Sequence, residues 1–320
     1  MTGAPGNPWD GLAVPPEDPR ATVRRLAEAL ERERILRNRT EVLLEEQTRE
    51  LYFANERLAA QHARLLAAER AERSRLQSEL ALAKRIQAAL LPREVNLRGL
   101  QIAGDTDPCA ELGGDYYDVR PTDDGCWMGI GDVSGHGVTA GLVMLMMQAT
   151  AAALTRLHLF KSPSEVLARL NEVLYENIRR RMAGDEHITA ALLRLHDDGR
   201  ITFAGAHEEL LVFRARTGAC ERVQTSGTWL GVVPDIRRVT HDQQIWLEPG
   251  DCLALYTDGL TEATNDAGQQ FGVERVCAEI ERLGAATPRE IVRALLARVR
   301  EFAPTPSDDI TAVVARYLAR

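Results

Sequence analysis

The stretch WMGIGDVSGHGVTAG, residues 127–141, decides the fold. Trp127, Met128 and Ile130 make an apolar run that stops at Asp132, and Gly135 and Gly137 follow. Such a run reads as a buried strand ending on a carboxylate. The glycines permit positive φ angles that a side chain would forbid, so the turn can bring backbone close to a ligand. Val138 to Leu154 is too long and too rich in Ala, Met and Leu for a strand, and it predicts a helix whose first N–H groups point back at Asp132. A carboxylate beside free amide donors suits a metal ion carrying a phosphate. Taken alone, the unit serves equally well as a structural corner with Asp132 as a cap or turn residue. Other Asp residues, each ending an apolar run beside Gly or a second acid, shift the reading toward chemistry.

The chain has 320 residues and a mass of 35.4 kDa, enough for one large domain and an accessory element. Hydrophobic residues make up 45% and charged residues 27%, the balance of a globular protein. The net charge of −8 is uneven: residues 21–90 carry 14 Arg or Lys against 11 Glu, so everything else carries −11. An acidic body of that kind argues against nucleic acid as substrate. The five cysteines are scattered and show no CxxC spacing, which points away from zinc and disulfides and toward a reducing cytoplasm. The first 20 residues have neither a basic nor an apolar segment of a signal peptide and read as a flexible Pro/Gly tail. The most apolar stretch, Gly141 to Leu154, is shorter than a span of about 20 residues and contains Gln148 and Thr150, so it reads as a core helix and no membrane partner is expected.

Residues 21–91 are nearly free of Gly and Pro and dense in Glu, Arg, Ala and Leu. Leu44, Leu51, Leu58 and Leu65 recur every seven residues, and the register resumes at Leu76, Ala83 and Leu90 after a step of eleven. Seven-residue spacing marks a coiled-coil seam, and the longer step is a four-residue insertion that relaxes the supercoil. The expectation is a regulatory coiled coil that makes a homodimer and receives an upstream signalling partner. A single helix packed on its own domain and a two-helix hairpin are the other arrangements this pattern allows. Pro92 ends the helix.

Beyond Leu100 the pattern changes to short strands: 101–108, 114–122 and 126–133, with Asp124-Gly125 as a hairpin turn. Helices are expected near 137–158 and 163–181, the second opened by Ser162-Pro163. Strands at 187–196, 200–206, 209–215, 243–249 and 252–258 follow, then helices near 272–283 and 288–303 and a last strand at 309–317. Strands in runs with paired helices between them indicate an α+β layered fold of antiparallel sheets covered by helices.

Asp115 and Asp118 lie in ELGGDYYD, Asp132 in GDVSGHG, Asp258 in LYTDGLTE, and Asp308 with Asp309 in PSDDIT. Each group stands at a strand boundary, where carboxylates can converge without disturbing the core. Hard oxygen donors in this number suit Mg2+ or Mn2+ rather than zinc. Two such ions can share a water, lower its pKa and hold it in line with phosphorus, which is hydrolysis without a covalent enzyme intermediate. No GxSxG, HExxH or Walker A pattern competes.

LGGDYYD, GDVSGHGVTAGL, LEPGDCLALYTDGLTEATN with FG at 271–272, and SDDIT resemble, in order, the motifs of the metal-dependent protein phosphatases of PPM (protein phosphatase 2C-like) type, and most closely the bacterial SpoIIE-like branch that regulates sigma factors. The resemblance covers about residues 80–317. It implies a β-sandwich of two antiparallel sheets flanked by helices, with two Mn2+ or Mg2+ ions at one edge. Carried over by position, it assigns Asp115 and Asp132 as core ligands that activate the water, the Val133 carbonyl as a further ligand, and Asp258 and Asp308 as the remaining acids. Asp309 stands where Asn is common. His136 stands where Lys is frequent and could protonate a leaving oxygen or bind phosphate, or simply be a solvated loop residue. His207, in AGAHEELL, matches a family AGH motif only loosely, and His187 reads as structural. Asp118 could orient a metal-bound water or Tyr116.

The expected organisation is therefore a tail at 1–20, a coiled-coil helix at 21–91 and a phosphatase domain at 92–320. The expected activity is hydrolysis of a phosphoserine or phosphothreonine protein, by resemblance an anti-sigma-factor antagonist. A catalytically silent binding module and a metal-dependent nucleotide phosphohydrolase are the alternatives.

Overall fold

The computed structural model describes residues 19–318 apart from 93, 111, 158, 159 and 306, so the expected tail lies almost wholly outside the described residues. Two compact units are present, residues 1–76 and residues 77–320. One helix, α1 (Pro19–Leu90), supplies every described residue of the first unit and the opening turns of the second. Its length follows from the absence of Gly and Pro and the abundance of Ala, Leu, Glu and Arg, all strong helix formers. Leu44, Leu51, Leu58 and Leu65 are each 63–70% exposed, so the seven-residue stripe is real and uncovered within the described chain.

The second unit is a four-layer sandwich. One sheet has six strands in the order β1 (Glu94–Leu97), β2 (Leu100–Asp107), β11 (Ile310–Tyr317), β10 (Cys252–Tyr256), β7 (Leu210–Arg214) and β8 (Ala219–Val223). The other has five, in the order β3 (Tyr116–Thr122), β4 (Gly125–Val133), β5 (Ile188–His196), β6 (Arg200–Ala204) and β9 (Gln243–Trp246). Every pairing is antiparallel. The α+β sandwich expected from the sequence is the observed fold.

Strand periodicity explains the layers. Along β4, Cys126, Met128 and Ile130 face the gap between the sheets, where they meet Tyr117, Val119, Leu253, Leu255, Val313 and Ala315. Trp127 and Val133 face the other way, onto α2 (Val138–Arg156) and α3 (Pro163–Tyr175). On the six-stranded sheet, Ala254, Tyr256, Ala312 and Val314 pack outward against α5 (Val273–Arg282) and α6 (Pro288–Phe302). The apolar composition of α2 is accounted for by burial, since Val143, Met144, Met147 and Ala151 are all in the core.

Some local expectations change. The β3–β4 turn is Asp123-Asp124, and Gly125 opens β4. The second helix stops at Tyr175 and continues as a π-helical turn, Glu176–Arg181. The short β1 and β8 and the helix α4 (Asp258–Glu262) carry no clear periodic signal in sequence. The two strands form because the edges of β2 and β7 supply their hydrogen bonds, and α4 begins with a local bond from the Leu260 N–H to the Thr257 carbonyl. The closing strand β11 is central, between β2 and β10, which fits its nearly continuous apolar run.

Candidate metal centre

Extending the inward-facing series of each strand to one end of the sandwich builds the site. Asp132 comes two residues after Ile130, Thr257 two after Leu255, Asp115 two before Tyr117 and Thr311 two before Val313. The same alternation that fills the core with aliphatic side chains therefore delivers carboxylates and hydroxyls to the open edge of the gap between the sheets. Asp115 is buried, and its Oδ2 accepts hydrogen bonds from Thr257 Oγ1 at 2.8 Å and from Thr311 Oγ1.

Asp309 holds the loop between β2 and β3. Its Oδ1 accepts from the Cys109 N–H and its Oδ2 from the Gly114 N–H, both at 2.7 Å. With both oxygens on backbone amides and only 4% exposure, Asp309 positions the Asp115 loop. Gln87, near the end of α1, brackets the same loop: its Nε2 donates to the Gly113 carbonyl at 2.7 Å and its Oε1 accepts from the Gly113 N–H at 3.0 Å. Gly114 is required by close approach, because a Cβ there would lie 3.0 Å from the Val133 carbonyl and 3.4 Å from Asp132 Oδ1. The glycine thus lets the loop lie against both the Val133 carbonyl and Asp132. Gly135 and Gly137 both have φ of +86°, as the turn demands.

Electrostatics bind the acids into one group. Burial pushes the Asp132 carboxyl up, and the charges of Asp258, Asp308 and Asp309 push it further, to about 8. Burial and then Asp132 hold the Asp115 carboxyl well above the usual range against the two threonine hydrogen bonds. Asp258 is raised by burial and by Asp308, and Asp308 by burial and by Asp309, with His136 opposing. Asp258 Oδ1 is buried without a hydrogen-bond partner. Carboxylates crowded against one another, one with an orphaned oxygen, are what a divalent cation would relieve, so the residues fit the metal expected of them. Among the described residues no three His, Cys, Asp or Glu side chains already close around one point. Mg2+ and Mn2+ suit such an open arrangement, since they keep several waters and take few direct carboxylates.

The structure brings Asp115, Asp132, Val133, Asp258 and Asp308 to this edge, with His136 on the exposed loop beside Asp308. It places Asp118 elsewhere. Asp118 Oδ2 lies 2.7 Å from Arg120 Nε, and its Oδ1 accepts from the Val119 N–H at 2.8 Å, so this acid belongs to a local ion pair on β3. His207 is a structural residue: Nε2 donates to the Tyr256 carbonyl at 3.0 Å, Nδ1 pairs with the Thr189 hydroxyl at 3.0 Å, and burial pulls its pKa down to about 4. Thr257, Thr311 and Gln87 escaped the sequence reading. The two threonines were visible as the inward residues next to the acidic motifs, whereas Gln87 carries no signal in a helix rich in polar side chains.

Two packed antiparallel sheets, helices on both outer faces and a carboxylate row at one sheet edge define a protein phosphatase domain of PP2C type. The chain belongs to the SpoIIE family: the model of Stage II sporulation protein E matches residues 122–318. With that membership goes the class of activity, protein serine/threonine phosphatase. The chain is 28% identical over 253 residues to phosphoserine phosphatase RsbU of Bacillus subtilis (strain 168), covering 75% of this chain and 70% of that one. Its fold is similar to the SiaA-PP2C domain of Pseudomonas aeruginosa, with a TM-score of 0.64 at 22% identity over 77% of this chain and 98% of that one. It is also similar to the RsbU and RsbW domains of Rv1364c from Mycobacterium tuberculosis, with a TM-score of 0.60 at 20% identity over 72% of this chain and 63% of that one.

Proposed function

We infer that this chain removes phosphate from a serine-phosphorylated regulatory protein of the anti-sigma-factor antagonist class, using two Mn2+ or Mg2+ ions. The observation that carries the reading is the row Asp132, Asp258 and Asp308, mutually repelling and with a buried carboxylate oxygen left unpaired. Asp132, Asp258, Asp308, Asp115 and the Val133 carbonyl would hold the ions. When bound, such a pair supplies a water of lowered pKa and neutralises charge on the phosphate. The chain's own residues do the positioning. Thr257 and Thr311 occupy Oδ2 of Asp115 and so fix which oxygen is left for an ion. Asp309 and Gln87 hold the 109–114 loop from two sides, and His136 stands on the exposed loop where a phosphate oxygen or leaving group arrives. The leucine stripe of α1 would make the protein a homodimer and give an upstream signalling partner its route in, within the cytoplasm.

The test is turnover of a phosphorylated antagonist protein against nucleotide substrates, with Mn2+ and with chelator. Phosphoprotein hydrolysis that needs Mn2+ and exceeds nucleotide hydrolysis supports the reading. Faster nucleotide turnover would replace it, and inactivity on both would leave a silent signalling module.

A further inference from the structure

Next to the metal loop lies a patch that the chemistry does not use. Ser134, two residues past Asp132, donates its N–H to the His187 carbonyl at 2.9 Å, and His187 donates its N–H to Ser134 Oγ at 2.9 Å. The His187 ring stacks on Trp229, with ring centroids 4.8 Å apart and planes 18° from parallel. Trp229 nevertheless leaves 48% of its surface in water, and Val232 and Val233 on the same segment, with Met182 on the segment that Arg179 ties to it, are 37–44% exposed.

The backbone under this patch is rigid. Leu230 and Ile188 exchange both hydrogen bonds of an antiparallel bridge, at 2.8 and 3.0 Å. Asn171 accepts from the Gly231 N–H and donates to the Val233 carbonyl, both at 2.9 Å. Arg179 ties the two segments together, donating from Nε to the Gly231 carbonyl at 2.8 Å and from Nη1 to the Gly184 carbonyl at 3.0 Å. The same border contains the π-helical turn and Ala183, whose φ of +54° makes it the one described non-glycine residue in the left-handed region. Irregular, strained backbone held in place by many bonds gathers where a surface has work to do. None of these bonds needs an indole at position 229, since Leu230 and Gly231 supply the backbone links.

We propose that the Trp229–His187 stack, with Met182, Val232 and Val233, is the docking platform for the phosphoprotein substrate and takes an apolar side chain lying within a few residues of the phosphoserine. The occupant follows from continuity with the metal loop and rests on the function proposed above. Asp132 connects to Trp229 through Ser134, two residues on, and through His187, which Ser134 binds and on which Trp229 stacks, and about four residues of extended chain, spanning about 13 Å, would bridge a link of that kind. A half-exposed aromatic on a fixed frame is the kind of residue that dominates protein recognition, since it gives up water at little cost in conformational freedom. A second copy of the chain is the poorer occupant, because the uncovered leucine stripe of α1 already offers one.

The experiment compares steady-state kinetics of the full chain with Mn2+ on a phosphorylated antagonist protein and on p-nitrophenyl phosphate, which is too small to reach Trp229. Trp229→Ala should raise KM for the phosphoprotein at least 10-fold and leave kcat/KM for p-nitrophenyl phosphate within twofold, with Trp229→Phe restoring most of the loss. Val232→Asp, outside the ring stack, should give the same split and serves if Trp229→Ala folds poorly. Phosphoprotein kinetics within twofold of the parent would overturn the platform, as would equal losses on both substrates or a changed sedimentation mass. Parent turnover of the phosphoprotein is the separate control: its absence would count against the proposed substrate class, whereas parent activity with an unaffected variant counts against the platform alone.

Discussion

Asp132 carries a charge that its surroundings oppose. Burial and three neighbouring carboxylates lift it to about 8, far above the ordinary carboxyl range near 4. The folded, metal-free protein therefore keeps protons between pH 4 and 8 that the unfolded chain releases, and its stability falls as pH rises through that window. In chelator the melting temperature should drop from pH 5.5 to pH 8, and Mn2+ should raise it more at pH 8 than at pH 5.5. A flat or rising profile in chelator would contradict the electrostatic picture. Asp132→Asn removes the repulsion without opening a cavity. It should stabilise the metal-free protein at pH 8 by about 1 kcal/mol, or about 2–4 °C. The same substitution, like Asp258→Asn, should lower Mn2+-dependent turnover by about 100-fold or more, because a ligand is lost and the attacking water is less acidic. Near-normal turnover at saturating Mn2+ in either variant would show that the centre is misassigned.

At the scale of one element, α1 uses two faces. Because ELALAKRIQAALLP leads into the first strand with no Gly or Ser tract between, Ile86 and Leu90 are expected to meet the catalytic domain, yet they are 51% and 42% exposed, while Gln87 is 6% and Leu91 8% exposed. The difference is about one residue of helical rotation. Leu90 continues the Leu76–Ala83 stripe, so it belongs to the seam, and the face carrying Gln87 and Leu91 meets the sandwich. Gln87 takes both backbone groups of Gly113, two residues before Asp115. Gln87→Ala leaves a buried N–H and C=O unpaired, a cost of about 1–3 kcal/mol placed on the Asp115 loop. We expect the Mn2+ concentration for half-maximal activity to rise severalfold in Gln87→Ala and to stay at the parent value in Ile86→Asn. Metal titrations of the two variants decide this, and the opposite ranking would restore the first reading.

For the whole molecule, the exposed stripe from Leu44 to Leu65 is the outstanding apolar surface of the first unit. A helix of this length leaving such a stripe in water would be marginal, and pairing two stripes removes it. Sedimentation should give twice the chain mass for the full protein and a monomer for residues 77–320, the second compact unit. Leu51→Asn with Leu58→Asn should weaken the dimer. Monomers for both lengths would refute the coiled coil.

The sequence by itself determined the layered α+β class, the strand order along the chain, the long helix and its seam, and the acidic motifs, because each rests on local periodicity or on turn chemistry. It also placed Asp115, Asp132, Asp258 and Asp308 at strand ends, where the apolar alternation runs out. Only the tertiary structure decided which acids share a field, since Asp118 and Asp115 are three residues apart on one motif and yet lie in separate environments. It also decided that Asp309 holds backbone, that His207 is a buried structural residue, that β8 exists at a sheet edge, and that α1 turns Gln87 rather than Ile86 inward. These outcomes depend on contacts between residues as many as 200 positions apart, such as Asp309 with Cys109, and local periodicity carries no information about which distant partner a side chain will meet.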